Sequence, residues 1–236
     1  MHLDLIESLR CPHAHDDGWL VAIPDVVCER VMWSGEIGCP QCAATWRVHE
    51  GVLVLDSARQ TTGAAALPST APDATLRNPG SPDTASFDPG SLESEALRTA
   101  ALLDLRTPGG VVLLAGAHAH HAPALAALVP GVLVLTLNAP ADAPNVHGHL
   151  RVDPPLPLGV GTLRGVRLDD AHADAAWLPG MLRALARGAR VIAPVAAAQP
   201  PATRELARDD REWVAEVSVA ASGLVPLRRG GDPMLR

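Results

Sequence analysis

The sequence predicts an α/β chain in two parts: a small N-terminal β module, then a doubly wound sheet of mainly parallel strands. Three observations carry this. All four cysteines and three of the five tryptophans fall within residues 1–56. Residues 57–92 are rich in Pro, Ser, Thr and Ala, with almost no large apolar residue and no periodicity. Residues 93–236 alternate apolar runs with helical spacing, as strand–helix–strand units do.

Composition bounds the function. The 236 residues are 47% hydrophobic and 19% charged, enough apolar material for a packed core and too much for a wholly disordered chain. A net charge of −7 disfavours nucleic acid as the main ligand, since gripping phosphates calls for a basic surface. No apolar run is long enough for a membrane helix. Met1-His2-Leu3-Asp4 has neither the basic start nor the apolar stretch of a signal peptide, so the expected compartment is the cytoplasm. Lysine and tyrosine are absent and arginine is abundant, so a lone arginine carries little information.

In the first part, Cys39-Pro40-Gln41-Cys42 has the spacing of a metal knuckle. Cys11-Pro12-His13-Ala14-His15 looks like its partner with the second cysteine missing. Residues 18–27 and 31–38 form a predicted hairpin, and residues 46–48 and 52–55 a second one turning at Glu50-Gly51. Two knuckles separated by a hairpin make a zinc ribbon, in which four protein ligands hold a structural ion and leave no open position for substrate. Ala14 cannot ligate. His13, His15 and Cys28 are the candidate replacements. The Cys-x3-His spacing of His15 leaves room for a turn around the ion, so the expected ligands are Cys11, His15, Cys39 and Cys42.

Leu9-Arg10-Cys11-Pro12, Ile37-Gly38-Cys39-Pro40-Gln41-Cys42 and the stretch from Trp46 to Leu55 resemble the small activator subunit of tRNA and protein methyltransferases and its short bacterial relatives. The resemblance spans about 50 residues. It implies a zinc ribbon over residues 1–56 that holds a methyltransferase, either another protein or this chain's own second part. A flexible linker over residues 57–92 would span roughly 30–35 Å, which permits either arrangement.

In the second part, residues 91–105 have helical spacing through Leu92, Ala96, Leu97, Ala100 and Leu103. Residues 111–115 read as a buried strand, 120–128 as a helix, and 132–137, 150–152 and 163–168 as strands. Residues 173–187 read as a helix ending at Gly188, 189–194 as a strand and 203–208 as helical. Residues 214–220 and 224–228 read as a closing hairpin, and the small basic stretch 227–236 as a solvated tail.

This order resembles the class I S-adenosylmethionine-dependent methyltransferase fold, a Rossmann-like sheet. Val112 to His120 lies where that family has its glycine-rich turn, Arg151-Val152-Asp153 where it has the end of strand three, and Leu182 to Ile192 where it has its fifth strand. The resemblance implies S-adenosylmethionine contacts at Gly116, Asn138, Asp153 and Asp170. The motif itself is degenerate. Only Gly116 of the glycine turn survives, His118 and His120 occupy the other glycine positions, and strand two ends in Asn138 rather than an acid. The helix expected between strands two and three is replaced by a Pro-rich loop. The expectation is a zinc-binding, non-catalytic scaffold or partner-binding pseudoenzyme. The alternative is an active methyltransferase acting on tRNA or protein. A third reading uses His118, His120, His121, His147, His149 and His172 as a metal or general-base cluster, against a plainer one in which they are exposed loop residues.

Overall fold

The computed structural model describes residues 1–13, 15, 18–55 and 89–218. The predicted linker, apart from residues 89–92, lies outside them, as do the predicted strand 224–228 and the basic tail.

After a one-turn helix α1 (Leu3–Ile6), four strands follow: β1 (Val21–Cys28), β2 (Val31–Gly38), β3 (Thr45–His49) and β4 (Val52–Leu55). They pair antiparallel in chain order. Both hairpins turn through two residues of positive φ, Glu29-Arg30 at 48° and 66° and Glu50-Gly51 at 51° and 73°. That backbone twist matches the flanking strands. Next come α2 (Pro89–Leu102), β5 (Val111–Ala115), a 3-10 helix (Gly116–His121), α3 (Ala122–Leu128), β6 (Leu133–Leu137), β7 (His149–Val152) and β8 (Leu163–Arg167). A short 3-10 turn (Asp170–His172), α4 (Leu178–Ala184), β9 (Leu185–Pro194), β10 (Thr203–Arg208) and β11 (Glu212–Val217) complete the described chain.

All eleven strands form one sheet, ordered β1-β2-β3-β4-β7-β6-β5-β8-β9-β11-β10. The chain winds outward from β5 through β6 to β7, then crosses to β8 and β9 on the other side. The reversal lies between β5 and β8, the place where open α/β sheets bind ligands. β5 to β9 are parallel and the β10–β11 hairpin is antiparallel. The N-terminal strands continue this sheet: β4 lies parallel to β7, with Leu53 opposite Leu150.

Every residue of β5 is buried, because helices cover both faces. Val112 and Leu114 pack in one cluster with Ala96 and Ala100 of α2 and Leu125 of α3. Val111, Leu113 and Ala115 pack in the other, with Leu5 of α1 and Leu178 and Met181 of α4. Among the described residues no helix is long and apolar enough to cross a membrane.

Three predicted elements are corrected. Residues 203–208 form a strand, paired along its length with β11, so the closing hairpin is β10–β11. The predicted helix 173–187 contracts to Leu178–Ala184, starting at Trp177-Leu178-Pro179, and β9 begins already at Leu185. The predicted helix start at His120 is a 3-10 turn; the α-helix begins at Ala122, with Pro123 in its first turn.

Candidate metal centre and sheet-edge crevice

Cys11 follows two short bridges, Leu9 with Leu158 and Arg10 with Trp19, that fix the first knuckle against the sheet. The second knuckle closes where the Cys39 N–H donates to the Ala44 carbonyl at 2.8 Å and the Ala43 N–H to the Cys39 carbonyl at 2.9 Å. Together they bring one ligand atom each from Cys11, His15, Cys39 and Cys42 within 4.8 Å of one another. The Sγ atoms of Cys11 and Cys42 are 3.7 Å apart, and Cys39 Sγ is 3.4 Å from His15 Nε2. A tetrahedral ion with Zn–S near 2.3 Å and Zn–N near 2.0 Å requires separations of about 3.8 and 3.5 Å. The donor set and spacing fit zinc. Gly18 is required here, since a Cβ at that position would lie 2.4 Å from the His15 ring.

The two alternative ligands separate cleanly. Cys28 sits at the far end of the β1–β2 hairpin, opposite Val31, whereas the knuckle adjoins the Val21–Gly38 end. His13 Nδ1 lies 3.2 Å from Cys42 Sγ and outside the four-residue cluster. Its hydrogen bond pulls the Cys42 thiol down to about 6 and favours the thiolate. Burial pushes Cys11 up to about 12, so without metal Cys11 is the thiol that donates to Cys42.

At the sheet edge the residues expected to hold a methyl donor are placed differently. Gly116 follows β5 with φ +53°, and its missing side chain leaves a cradle. That cradle is filled: a Cβ on Gly116 would lie 1.7 Å from Asp169 Oδ2. The same carboxylate accepts the Ala117 N–H at 3.3 Å and, through Oδ1, pairs with His172 Nδ1 at 2.5 Å. His172 Nε2 is 3.2 Å from Asn138 Nδ2. Asn138 is bound to the Val152 backbone, donating to its carbonyl and accepting its N–H, each at 3.0 Å. One chain of hydrogen bonds thus links the carboxyl ends of β5, β8, β6 and β7. Burial opposes ionisation of Asp169, but the bonds from His172 and Ala117 outweigh it and hold the carboxyl below its usual value.

The other two predicted contacts lie apart. Asp153 lines a cavity of about 440 Å³ with Val54, Arg151 and one side of Asn138. Asp170 lines a different cavity, beside α4. Asp169 thus takes both the space beside Gly116 and the Ala117 N–H.

The histidines are not exposed loop residues. His121, His149 and His172 are buried. Burial, helped by the nearby Arg167 charge, lowers His118 to about 4 and His121 to about 3. His147 accepts the Val134 N–H, and His120 lies 3.9 Å from Asp142.

Arg167 is the residue that sequence reasoning missed. Only 1% exposed, it donates through Nη2 to Glu95 of α2 at 2.8 Å and Glu212 of β11 at 3.1 Å, and through Nη1 to Thr99. Thr99 Oγ1 lies 3.2 Å from His121 Nε2. Arg98 holds the other Glu212 oxygen at 2.6 Å. The signal was its place between Val166 and Leu168 at the buried end of a central strand, where an unpaired cation could not stay.

No family model matches the chain. No curated protein matches it. Among solved structures it is similar to an S-adenosyl-L-methionine methyltransferase from Silicibacter pomeroyi DSS-3. Identity is 14%, with 56% of this chain and 99% of that one covered, at a TM-score of 0.38. A likeness at that level assigns neither ligand nor activity to this chain.

Proposed function

We propose that this chain is a zinc-binding, methyltransferase-like protein without methyl-transfer activity, serving as a scaffold or partner-binding protein. The observation that carries it is the filled crevice. Asp169 occupies the space that a glycine turn otherwise keeps open for a ligand. The Asp169–His172–Asn138 chain satisfies its polar groups within the protein. Removing that carboxylate would take the Nδ1 partner from the buried His172 ring, so the arrangement favours the closed state. The zinc-ribbon reading of the knuckles is supported by the ligand separations, which match a tetrahedral N/S site. Such an ion has a structural role and contributes directly to folding of the N-terminal strands. Because β4 continues the larger sheet at β7, the metal also steadies the edge of that sheet.

One observation favours a second reading, an active methyltransferase. Asp153 and Asn138 both face a cavity beside β7, where an adenosine could be held by an acid. Incubation of zinc-loaded protein with methyl-labelled S-adenosylmethionine and mixed tRNA and protein acceptors separates the two. The scaffold reading expects label at background. Transfer that disappears in an Asp153→Asn variant establishes the enzyme.

A further inference from the structure

Asp170 is a predicted cofactor contact that takes no part in the crevice's hydrogen-bond chain. Asp169 turns toward Gly116, and its neighbour Asp170 lines a separate cavity of about 730 Å³. This cavity lies between α4 and the connection from β9 to β10, with Leu178, Pro179 and Leu182 on one wall and residues 196–202 on the other. Its size is that of a small-molecule site, which typically measures about 300–1,000 Å³.

Both walls are fixed. On the α4 side, Asp174 Oδ1 accepts the N–H groups of Ala176 and Trp177 at 2.9 and 3.1 Å and holds the helix start. On the other side, the indole N–H of the buried Trp213 donates to the Ala197 carbonyl at 2.9 Å, and Thr203 Oγ1 donates to the Pro200 carbonyl at 2.7 Å. The cavity is therefore preformed, and a ligand entering it has little protein to order.

Its lining is selective. Apart from Gln199, the polar side chains are the carboxylates of Asp170 and Asp174, and among the described residues no basic one lines it. Asp170 has no cationic side chain within ion-pair distance among the described residues. A cavity at the opposite edge of the sheet, by the amino ends of β5, β8 and β9, is instead lined by Arg164, Arg187 and Arg190 with Asp104 and Glu216. An open apolar groove that carries two carboxylates repels anions and rewards a cation attached to an apolar body.

We infer that the α4 cavity is a binding site for a small amphiphilic amine, its apolar body between Leu182 and the 196–202 wall and its ammonium at Asp170. Its lining shares no residue with the metal centre or with the Asp169–His172–Asn138 chain.

Titration calorimetry at pH 7.5 with octylamine and octanoate tests it, using the full zinc-loaded chain. Octylamine is expected to bind about ten-fold more tightly than octanoate, from attraction of one head group and repulsion of the other at two exposed carboxylates. Leu182→Trp and, independently, Ala198→Leu fill the cavity and are expected to abolish binding while zinc content and melting temperature hold. Asp170→Asn is expected to keep binding but bring the two ligands within about three-fold of each other. Equal affinities in the unaltered chain, or binding indifferent to both filling variants, overturn the assignment. Binding that emerges only after removal of residues 219–236 makes the chain's own tail the occupant and overturns it as well.

Discussion

Substituting Gly116 by alanine probes the filled crevice most sharply. Two costs are expected. Alanine at φ +53° carries a backbone penalty of about 1–2 kcal/mol. Its Cβ would lie 1.7 Å from Asp169 Oδ2, so the carboxylate must leave and lose its bonds to Ala117 and His172. Charge-assisted bonds of that kind contribute about 1.5–3 kcal/mol, so Gly116→Ala should destabilise by about 3–5 kcal/mol in total. The informative experiment is a double-mutant cycle followed by urea unfolding. In an Asp169→Ala background the Cβ has room, and Gly116→Ala should cost only the backbone part, about 1–2 kcal/mol. The coupling is then about 2–3 kcal/mol, the range for residues in direct contact. Costs that add within about 0.5 kcal/mol would show that Asp169 does not fill the cradle in solution, and the reasoning would fail with it.

Three further outcomes follow from the structure. Elemental analysis should find one zinc per chain; Cys39→Ala should lose it and Cys28→Ala should keep it, whereas loss in Cys28→Ala contradicts the ligand set. Glu212→Ala leaves the buried Arg167 short of a partner and should cost about 3–5 kcal/mol by denaturant unfolding. A cost below about 1 kcal/mol would mean that the network is solvated. Stability should also fall with acid. His118 and His121 titrate at about 4 and about 3 when folded, below the ordinary 6.5. The unfolded chain therefore binds more protons between those values, so their effect is absent above about pH 6.5 and grows as pH falls toward 4. A His118→Gln, His121→Gln variant should flatten that slope in urea midpoints measured from pH 7.5 to 5; an unchanged slope places its origin elsewhere.

Much of the larger sheet was legible because its strands announce themselves. Val111–Ala115 is a continuous apolar run, readable since both faces are covered. β10 was not. Thr203–Arg208 is half charged, built of good helix formers, and exposed along most of its length, so only its pairing with β11 makes it a strand. The parallel junction of β4 with β7 was equally hidden, because alternation along Val52–Leu55 is the same whichever strand lies beside it.

At the metal cluster, local spacing was enough to nominate His15. Setting aside Cys28 needed the hairpin's length, which puts it at the wrong end, and choosing between His13 and His15 needed the folded knuckle, where His15 joins the four-residue cluster. At the sheet edge, sequence reasoning chose Asp170 over Asp169. Successive carboxylates look alike on paper, yet Asp169, still extended, meets Gly116, while Asp170 opens the 3-10 turn and lines another cavity.

Whether this chain takes a methyl donor is decided most directly by calorimetric titration of the zinc-loaded chain with S-adenosylmethionine and its demethylated product. A crevice closed by Asp169, His172 and Asn138 predicts no binding heat for either ligand at millimolar concentration. Micromolar binding, weakened by Asp153→Asn, would contradict it and return the chain to the enzymes.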